Sequence, residues 1–141
     1  MKNFNALILA AGEGRRLRPA TRYLPKCLFK VGGTPLIERW LRDLEYTGCK
    51  KATINTHYKH EAVDAYIKER MQGGMIVKLE HEKKLLGTAG TLKKYLMQNN
   101  DEKLVVIHAD NATNFRIEKI LSAHEKRPRR CTATIGTFKT D

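Results

Sequence analysis

A loop rich in glycine and arginine follows the first apolar run of the sequence. Residues 9–26 read LAAGEGRRLRPATRYLPK, and they overlap the apolar run NALILA at 5–10. Gly12 and Gly14 permit backbone angles that other residues resist, and backbone amides in a glycine-rich turn can cradle phosphate. The positive charge of the loop comes from Arg15, Arg16, Arg18 and Lys26. This pattern directly behind a buried strand predicts a polyphosphate site rather than a merely solvated basic loop.

Two familiar phosphate-binding patterns are absent from this loop. A P-loop requires G-x-x-x-x-G-K-[ST], and the loop contains no Gly-Lys pair. A dinucleotide fingerprint requires a third glycine where Leu17 stands, followed by a helix that Pro19 would interrupt. The loop must therefore bind its ligand in another way.

Short apolar runs alternate with helical periodicity along the whole chain. The predicted strands are 5–10, 51–57, 75–82, 103–110 and 130–138. The predicted helices are 34–48, 60–71, 91–99 and 115–126. This alternation predicts an α/β fold with a doubly wound, mostly parallel sheet and helices on both faces. Ligands of such sheets bind outside the carboxyl ends of the strands, which is where the 9–26 loop begins.

Residues that commonly begin or end helices lie at the ends of the predicted helices. Thr34 is expected to cap the first helix, with Pro35 in its first turn and Gly48 at its end. The pair Gly73-Gly74 is expected to stop the second helix.

Composition indicates one globular domain with an excess of positive charge. The chain has 141 residues, and 27 Lys and Arg against 15 acidic residues give a net charge of +12. Such a charge needs an anionic partner or substrate, or a missing acidic region, to account for it. Cys27, Cys49 and Cys131 have no C-x-x-C spacing and indicate reduced thiols in a cytoplasmic protein. No stretch has the length of a transmembrane helix, so we expect no membrane partner.

The 9–26 loop resembles the signature of the sugar-phosphate nucleotidyltransferases. That signature is roughly L-A-A-G-x-G-[ST]-R-L-x-P-x-T, then P-K and a G-x-P-L turn, which GGTPL at 32–36 matches. The family, which includes the mannose-1-phosphate guanylyltransferases, transfers a nucleoside monophosphate from a nucleoside triphosphate to a sugar 1-phosphate and releases pyrophosphate. The resemblance implies a Rossmann-like, GT-A-like fold, truncated on its C-terminal side. Residues 1–141 would be the nucleotide-binding part of that domain.

The resemblance assigns roles to residues of the loop by position. Arg16 matches the arginine that acts on the leaving pyrophosphate, and Lys26 matches the lysine that steadies the reacting phosphates. Nucleotide-binding roles fall on Leu9, Ala11, Gly12, Glu13, Gly14 and Arg15. Arg15 stands where the family usually has Thr or Ser, and Cys27 replaces a common proline or small residue.

Asp110 ends the strand 103–110 and would carry a metal ion. A carboxylate there is a hard oxygen ligand that suits Mg²⁺, and the resemblance matches it to the family's metal-binding aspartate. A strand-end aspartate on its own is as readily a cap or turn residue. Ala109 precedes it where the familiar form has glycine.

The segment HEKKLLGTAGTL at 81–92 matches another part of the family pattern. Gly87 and Gly90 would let the backbone approach a flat base, and Thr88 would form a hydrogen bond or cap the following helix. Variants with G-T-A-G resemble guanylyl- and some uridylyltransferases, which favours GTP and leaves UTP open. At the neighbouring strand end, Asn55 is a candidate nucleoside contact, and His57 is more readily a packed residue than a catalyst.

Three functional hypotheses follow. The first is a nucleotidyltransferase for nucleotide-sugar biosynthesis that uses Mg²⁺, a nucleoside triphosphate and a sugar 1-phosphate. The second is a nucleotide-binding fragment without turnover, since family members continue past this point with sugar contacts and a second metal-binding aspartate. The third is a basic nucleic-acid binder, suggested by KRPRR at 126–130 but disfavoured because aromatic residues are only 7%. A homo-oligomer is compatible with the first two.

Overall fold

Helices alternate with the strands of a parallel sheet, as the sequence predicts. The computed structural model describes residues 3–70 and 73–137. The strands are β1 (Asn5–Leu9), β2 (Lys30–Val31), β3 (Thr34–Pro35), β4 (Lys51–Thr56), β5 (Ile76–His81) and β6 (Leu104–His108). The helices are α1 (Leu36–Thr47), α2 (His60–Glu69), α3 (Gly87–Gln98) and α4 (Ile117–Glu125). Across the described ranges, no helix is both long and apolar enough to span a bilayer.

The main sheet has the strand order β5-β4-β1-β6, and every neighbouring pair is parallel. Leu9 of β1 pairs with Asn55 of β4 on one side and with His108 of β6 on the other. The carboxyl ends of the three strands therefore meet at one edge of the sheet, which we call the carboxyl edge. The predicted doubly wound, parallel architecture is confirmed.

The two faces of the sheet pack against different helices. Side chains alternate across a strand, so Ala52 and Ile54 of β4 face one way and Thr53 and Asn55 the other. The first face joins apolar residues of α1, α2 and α4 in one buried cluster, which includes Ile37, Trp40, Leu41, Leu44, Val63, Ile67, Ile117 and Leu121. On the second face, Asn55 donates a hydrogen bond to Thr91 of α3. Helices therefore cover both faces, as predicted.

The prediction that Thr34 caps the first helix is wrong. Thr34 lies in β3, which pairs antiparallel with β2, and α1 begins at Leu36 with no side-chain cap. Gly32 and Gly33 connect the two short strands with positive φ angles of 59° and 79°. A two-residue turn of this kind favours a β-hairpin, and the hairpin takes the residue that would have served as the cap.

The other helix ends are partly as predicted. Gly48 ends α1 in the left-handed conformation, with φ 88°, and its amide donates to the carbonyls of Glu45 and Leu44. This confirms its predicted role. In contrast, α2 ends at Glu69 because Arg70 is already extended, so the pair Gly73-Gly74 does not stop it.

The predicted strand at 130–138 is wrong over its described part. Residues 131–137 form neither helix nor strand, and position 138 lies outside the described residues. The Cys131 amide instead closes a turn onto the Pro128 carbonyl, and Ile135 is 81% exposed. A sequence rich in Thr and Ile becomes a strand only where it can pair and bury one face, which this segment does not do.

Candidate active site

A sharply turned backbone carries the glycine–arginine loop away from β1. Gly14 has a left-handed φ of 61°, and a single turn of 3-10 helix follows at Arg15–Leu17. The Thr21 hydroxyl donates to the Gly14 carbonyl at 3.1 Å, and the Tyr58 hydroxyl donates to the Thr21 carbonyl at 2.9 Å. The loop is therefore held by side-chain hydrogen bonds. The signature includes Thr21 without giving it a role, and sequence reasoning did not identify Tyr58, whose partner lies 37 residues away.

The Gly14→Ala variant should disrupt this turn. Its new Cβ would lie 3.0 Å from Thr21 Cγ2 at a φ that L residues rarely adopt, so we expect a loss of about 1–2 kcal/mol or more of unfolding free energy. Gly12→Ala is the matched control, since a Cβ there meets nothing within 4 Å and its φ is not in the left-handed range. Urea unfolding of both variants measures the difference, and equal losses would contradict this account.

The predicted site residues converge on one cleft of ≈ 380 Å³ at the carboxyl edge. The predicted residues that line it are Leu9, Ala11, Gly12, Gly14, Arg15, Arg16, Lys26, Gly87, Thr88 and Asp110. They come from the ends of β1 and β6, the glycine–arginine loop and the start of α3. Parallel strand order brings these segments together, although they are separated by up to a hundred residues in the sequence.

Glu13 is the predicted site residue that does not line the cleft. Its carboxylate accepts a 2.6 Å hydrogen bond from Arg15 Nε and lies 3.6 Å from Arg18 Nη2. The hydrogen bond from Arg15 lowers the pKa of the Glu13 carboxyl. Glu13 thus acts as a counter-ion for two arginines of the loop. The Arg15 side chain is 76% exposed.

Lys26 and Asp110 form an ion pair inside the cleft. The Lys26 ammonium donates to Asp110 Oδ2 at 2.6 Å, and the two side chains are 33% and 37% exposed. Each residue therefore faces both its partner and the space that a ligand would enter. Asp110 is thus the counter-ion of Lys26.

The carboxylate of Asp110 is a hard oxygen ligand of the kind that suits Mg²⁺. The described residues contain no group of three or more His, Cys, Asp or Glu side chains that could hold a metal ion without a ligand. Mg²⁺ commonly binds through one or two carboxylates plus the phosphates of a substrate. A single, partly exposed carboxylate such as that of Asp110 has that chemistry, whereas the described residues form no dedicated protein cage.

The G-T-A-G segment forms the first turn of α3. Gly87 starts the helix with φ 73°, and Thr88 lines the cleft beside Leu85. Gly90 does not line the cleft, and a Cβ there would lie 3.0 Å from Leu86 Cβ. Gly87 is thus at the cleft as predicted, whereas the prediction that Gly90 is also there is wrong, because Gly90 packs closely against Leu86 within the turn.

A buried polar network, which sequence reasoning did not identify, lies next to the cleft. Glu82 is 3% exposed and accepts hydrogen bonds from Asn55 Nδ2 at 3.1 Å, Thr91 Oγ1 at 2.5 Å and the Leu86 amide at 3.1 Å. Asn55 Oδ1 in turn accepts from the Ala10 amide at 2.8 Å. The network therefore ties the glycine–arginine loop, β4 and α3 together. Asn55 does line the cleft, but its amide is engaged by these protein partners.

Glu82 should contribute stability that depends on pH. Burial alone would raise its pKa, but hydrogen bonds from Thr91 and Asn55 outweigh this and lower the pKa. A lowered carboxyl pKa adds stability above the unfolded-state value of about 4.3, which is lost as pH falls through the folded-state pKa. We expect Glu82→Gln to cost about 1–3 kcal/mol at pH 7 and less at pH 3. Urea unfolding at both pH values tests this, and a pH-independent difference would refute it.

Of the histidines near the carboxyl edge, His108 at the end of β6 lines the cleft, whereas His57, His60 and His81 do not. His57 Nδ1 lies 2.7 Å from the Glu82 carbonyl oxygen, as expected for a packed residue. The His60 and His81 rings are in contact, with centroids 3.9 Å apart, and the His57 and His81 centroids are 6.4 Å apart. None of the three lines the cleft.

Cys27 lines the cleft as an unreactive thiol. It is 3% exposed, and burial raises the pKa of its thiol to about 12. Cys27, Cys49 and Cys131 are all unpaired, as the sequence predicts. Cys27 therefore contributes packing to the cleft wall.

The chain is similar in sequence and in structure to known nucleotidyltransferases. The chain is 31% identical over 133 residues to the mannose-1-phosphate guanylyltransferase catalytic subunit beta of Danio rerio, a match that spans 92% of this chain and 37% of that protein. Among solved structures, HddC from Yersinia pseudotuberculosis complexed with GMP-PN superposes with a TM-score of 0.73 at 26% identity, covering 89% of this chain and 55% of that one.

A second similar structure has a name that includes a different acceptor, phosphocholine. The CTP:phosphocholine cytidylyltransferase LicC of Streptococcus pneumoniae superposes with a TM-score of 0.61 at 34% identity, covering 80% of this chain and 49% of that one. The chain thus spans between about a third and about half of the length of these relatives.

The model of the nucleotidyl transferase family matches residues 5–141, nearly the whole chain. The chain belongs to the nucleotidyl transferase family.

Proposed function

We propose that this chain forms the nucleotide-binding part of an enzyme that transfers a nucleoside monophosphate from a nucleoside triphosphate to a sugar 1-phosphate. The observation that carries the proposal is the convergence of Arg16, Lys26, Asp110 and the glycine-rich backbone on one cleft. The family match supports the reaction class, and the name of the Danio rerio relative supports a sugar 1-phosphate acceptor.

Positive charge and backbone amides supply most of the chemistry in this proposal. The acceptor's phosphate oxygen attacks the α-phosphate in line while pyrophosphate leaves, so positioning and charge neutralisation dominate. Arg16 neutralises the leaving pyrophosphate and Lys26 steadies the reacting phosphates. The backbone amides near Gly12 and Gly14 cradle the triphosphate. The attacking oxygen is already negatively charged, so the site needs no general base.

Asp110 would hold Mg²⁺ in this reaction. The ion, when bound, neutralises charge on the triphosphate oxygens. With Asp110 engaged by the ion, Lys26 would be available to donate to phosphate. The 2.6 Å ion pair places both groups at the cleft.

GTP is the favoured nucleotide, with UTP as the alternative. The G-T-A-G segment, the guanylyl transfer in the name of the Danio rerio relative and the GMP-PN complex of HddC all support guanine. A base read by backbone groups near Gly87 would be discriminated because a mismatched base leaves buried polar groups unpaired.

Binding without turnover is the second candidate function. The chain spans 37% of the Danio rerio protein and 55% of HddC, so the activity of those whole proteins is a proposal for this chain. In binding without turnover, the cleft takes up the nucleotide and other residues of a longer protein or a partner complete the acceptor site. The cytoplasmic location and the homo-oligomer remain predictions, for which fractionation and sedimentation are the direct measurements.

A product assay distinguishes these functions. The purified chain is incubated with GTP and Mg²⁺ and with mannose 1-phosphate, glucose 1-phosphate or phosphocholine, and pyrophosphate and nucleotide product are quantified. We expect equal amounts of pyrophosphate and nucleotide sugar with a sugar 1-phosphate. Nucleotide binding without product would favour the second candidate, and product with phosphocholine alone would overturn the proposed acceptor.

A further inference from the structure

We propose that Trp40 is a positioning residue for Asp110. Its indole N–H holds the backbone of the turn that presents the carboxylate to the cleft. The role of Asp110 toward Mg²⁺ rests on the proposed function, whereas the hold of Trp40 on the turn is a property of the ligand-free chain.

The contact joins two distant parts of the sequence. Trp40 lies in α1 and is 8% exposed, with its ring in the buried apolar cluster. Its Nε1 donates a hydrogen bond of 3.1 Å to the carbonyl of Asn111, the residue that follows Asp110. A buried helix side chain therefore reaches the backbone directly beside the candidate metal ligand.

The turn is fixed on its other side by the sheet. The Ala109 amide donates to the Leu9 carbonyl at 3.0 Å, and the Asn111 amide closes the turn onto the His108 carbonyl at 3.2 Å. Residues 111–116, in contrast, are all exposed and lie in neither helix nor strand. Within the described ranges, the indole N–H is the side-chain group that ties the downstream side of the turn to the core.

The chemistry of this contact is positioning rather than catalysis. The Asn111 carbonyl belongs to an exposed residue, so water can satisfy it once the indole N–H is gone. The fold then loses little, but Asp110 samples more orientations relative to Lys26. A hydrogen bond of this kind has a net value of about 0.5–1.5 kcal/mol, which corresponds to about a 2- to 10-fold change in an equilibrium.

Two replacements remove the N–H group with different effects on packing. Trp40→Phe keeps an aromatic ring but is smaller. Benzothienylalanine keeps the two-ring shape and lacks the N–H. Because the chain has a single tryptophan, global replacement of tryptophan by this analogue changes position 40 alone. Tyr95→Phe is the matched control. Tyr95 is 2% exposed and its hydroxyl donates to Asp101 Oδ2 at 2.5 Å, just before β6 and away from the carboxyl edge.

The first readout needs neither nucleotide nor metal. Amide hydrogen exchange of Asn111 is measured by NMR in the ligand-free chain. We expect exchange about 2- to 10-fold faster in both Trp40 replacements and unchanged exchange in Tyr95→Phe. Parent-like exchange of Asn111 in both Trp40 replacements would overturn the proposal.

The second readout is the Mg²⁺ concentration that gives half of the GTP-dependent rise in melting temperature. We expect this midpoint to rise about 2- to 10-fold in both Trp40 replacements, with GTP affinity in EDTA unchanged. If the parent chain responds to Mg²⁺ and both Trp40 replacements show the same midpoint as the parent, the proposal is also overturned. If the parent binds no nucleotide at all, the proposed function fails, while the exchange measurement still decides the hold of Trp40 on the turn.

Discussion

The Lys26→Ala variant is expected to bind GTP with Mg²⁺ on the order of 10- to 100-fold more weakly than the parent chain. The estimate follows from a charge-assisted hydrogen bond to phosphate, which is worth about 1.5–3 kcal/mol. The fold should be nearly unaffected, because the Lys26–Asp110 pair is partly exposed and water can solvate the remaining carboxylate. Isothermal titration calorimetry at fixed ionic strength measures the change in Kd.

Lys103→Ala is the matched control for that variant. Lys103 also forms an ion pair, with Glu125 at 3.3 Å, and its side chain is 30% exposed, close to the 33% of Lys26. It does not line the cleft, so its loss lowers the net charge by the same amount without touching the site. A Kd for Lys26→Ala within twofold of the Lys103→Ala value would contradict the role of Lys26.

The Asp110→Asn variant should lose the dependence of nucleotide binding on Mg²⁺. An amide is a poor substitute for a carboxylate toward a hard cation, so adding Mg²⁺ should change the Kd for GTP less than twofold. In EDTA, the same variant should bind GTP at least as tightly as the parent does. The reason is that Lys26 no longer has a carboxylate at 2.6 Å competing with the phosphates.

The prediction is specific because Asp110→Asn should lose the gain in GTP affinity that Mg²⁺ provides, yet should not lose GTP affinity in EDTA. Asp64→Asn is the control, because the Asp64 side chain is 34% exposed and lies in α2, away from the cleft. Titrations of GTP with and without Mg²⁺ are compared across the three chains. Full retention of the Mg²⁺ effect in Asp110→Asn would remove Asp110 from the metal site.

The sheet and the grouping of the loops could be predicted because they depend on local patterns. Continuous apolar runs such as 5–10 indicate buried parallel strands, and parallel order forces their carboxyl ends to one edge. The convergence of Arg16 and Lys26 with Asp110 follows from that topology. The glycine pair at 32–33 is also a local signal, typical of a two-residue hairpin, and it explains why Thr34 is in a strand and does not cap α1.

The buried partners could not be predicted, because each depends on a contact between distant residues. Nothing local to Glu82 indicates that it accepts hydrogen bonds from Asn55 and Thr91, since a charged residue at a strand end is usually solvated. Trp40 fits the apolar face of α1, and its helical spacing says nothing about a hydrogen bond to a carbonyl 71 residues away. Conversely, the β-rich composition of 130–138 suggests a strand, but composition does not supply a pairing neighbour.

The most direct test of the central claim is the melting temperature of the purified chain with each of GTP, UTP, CTP, dTTP and ATP, with and without Mg²⁺. A ligand that binds only the folded state adds about 2.7 kcal/mol of stability at a hundred times its Kd, which is enough to measure. We predict a rise that depends on Mg²⁺ and is largest with GTP. The absence of a rise with any nucleotide would contradict the assignment of the cleft as a nucleotide site.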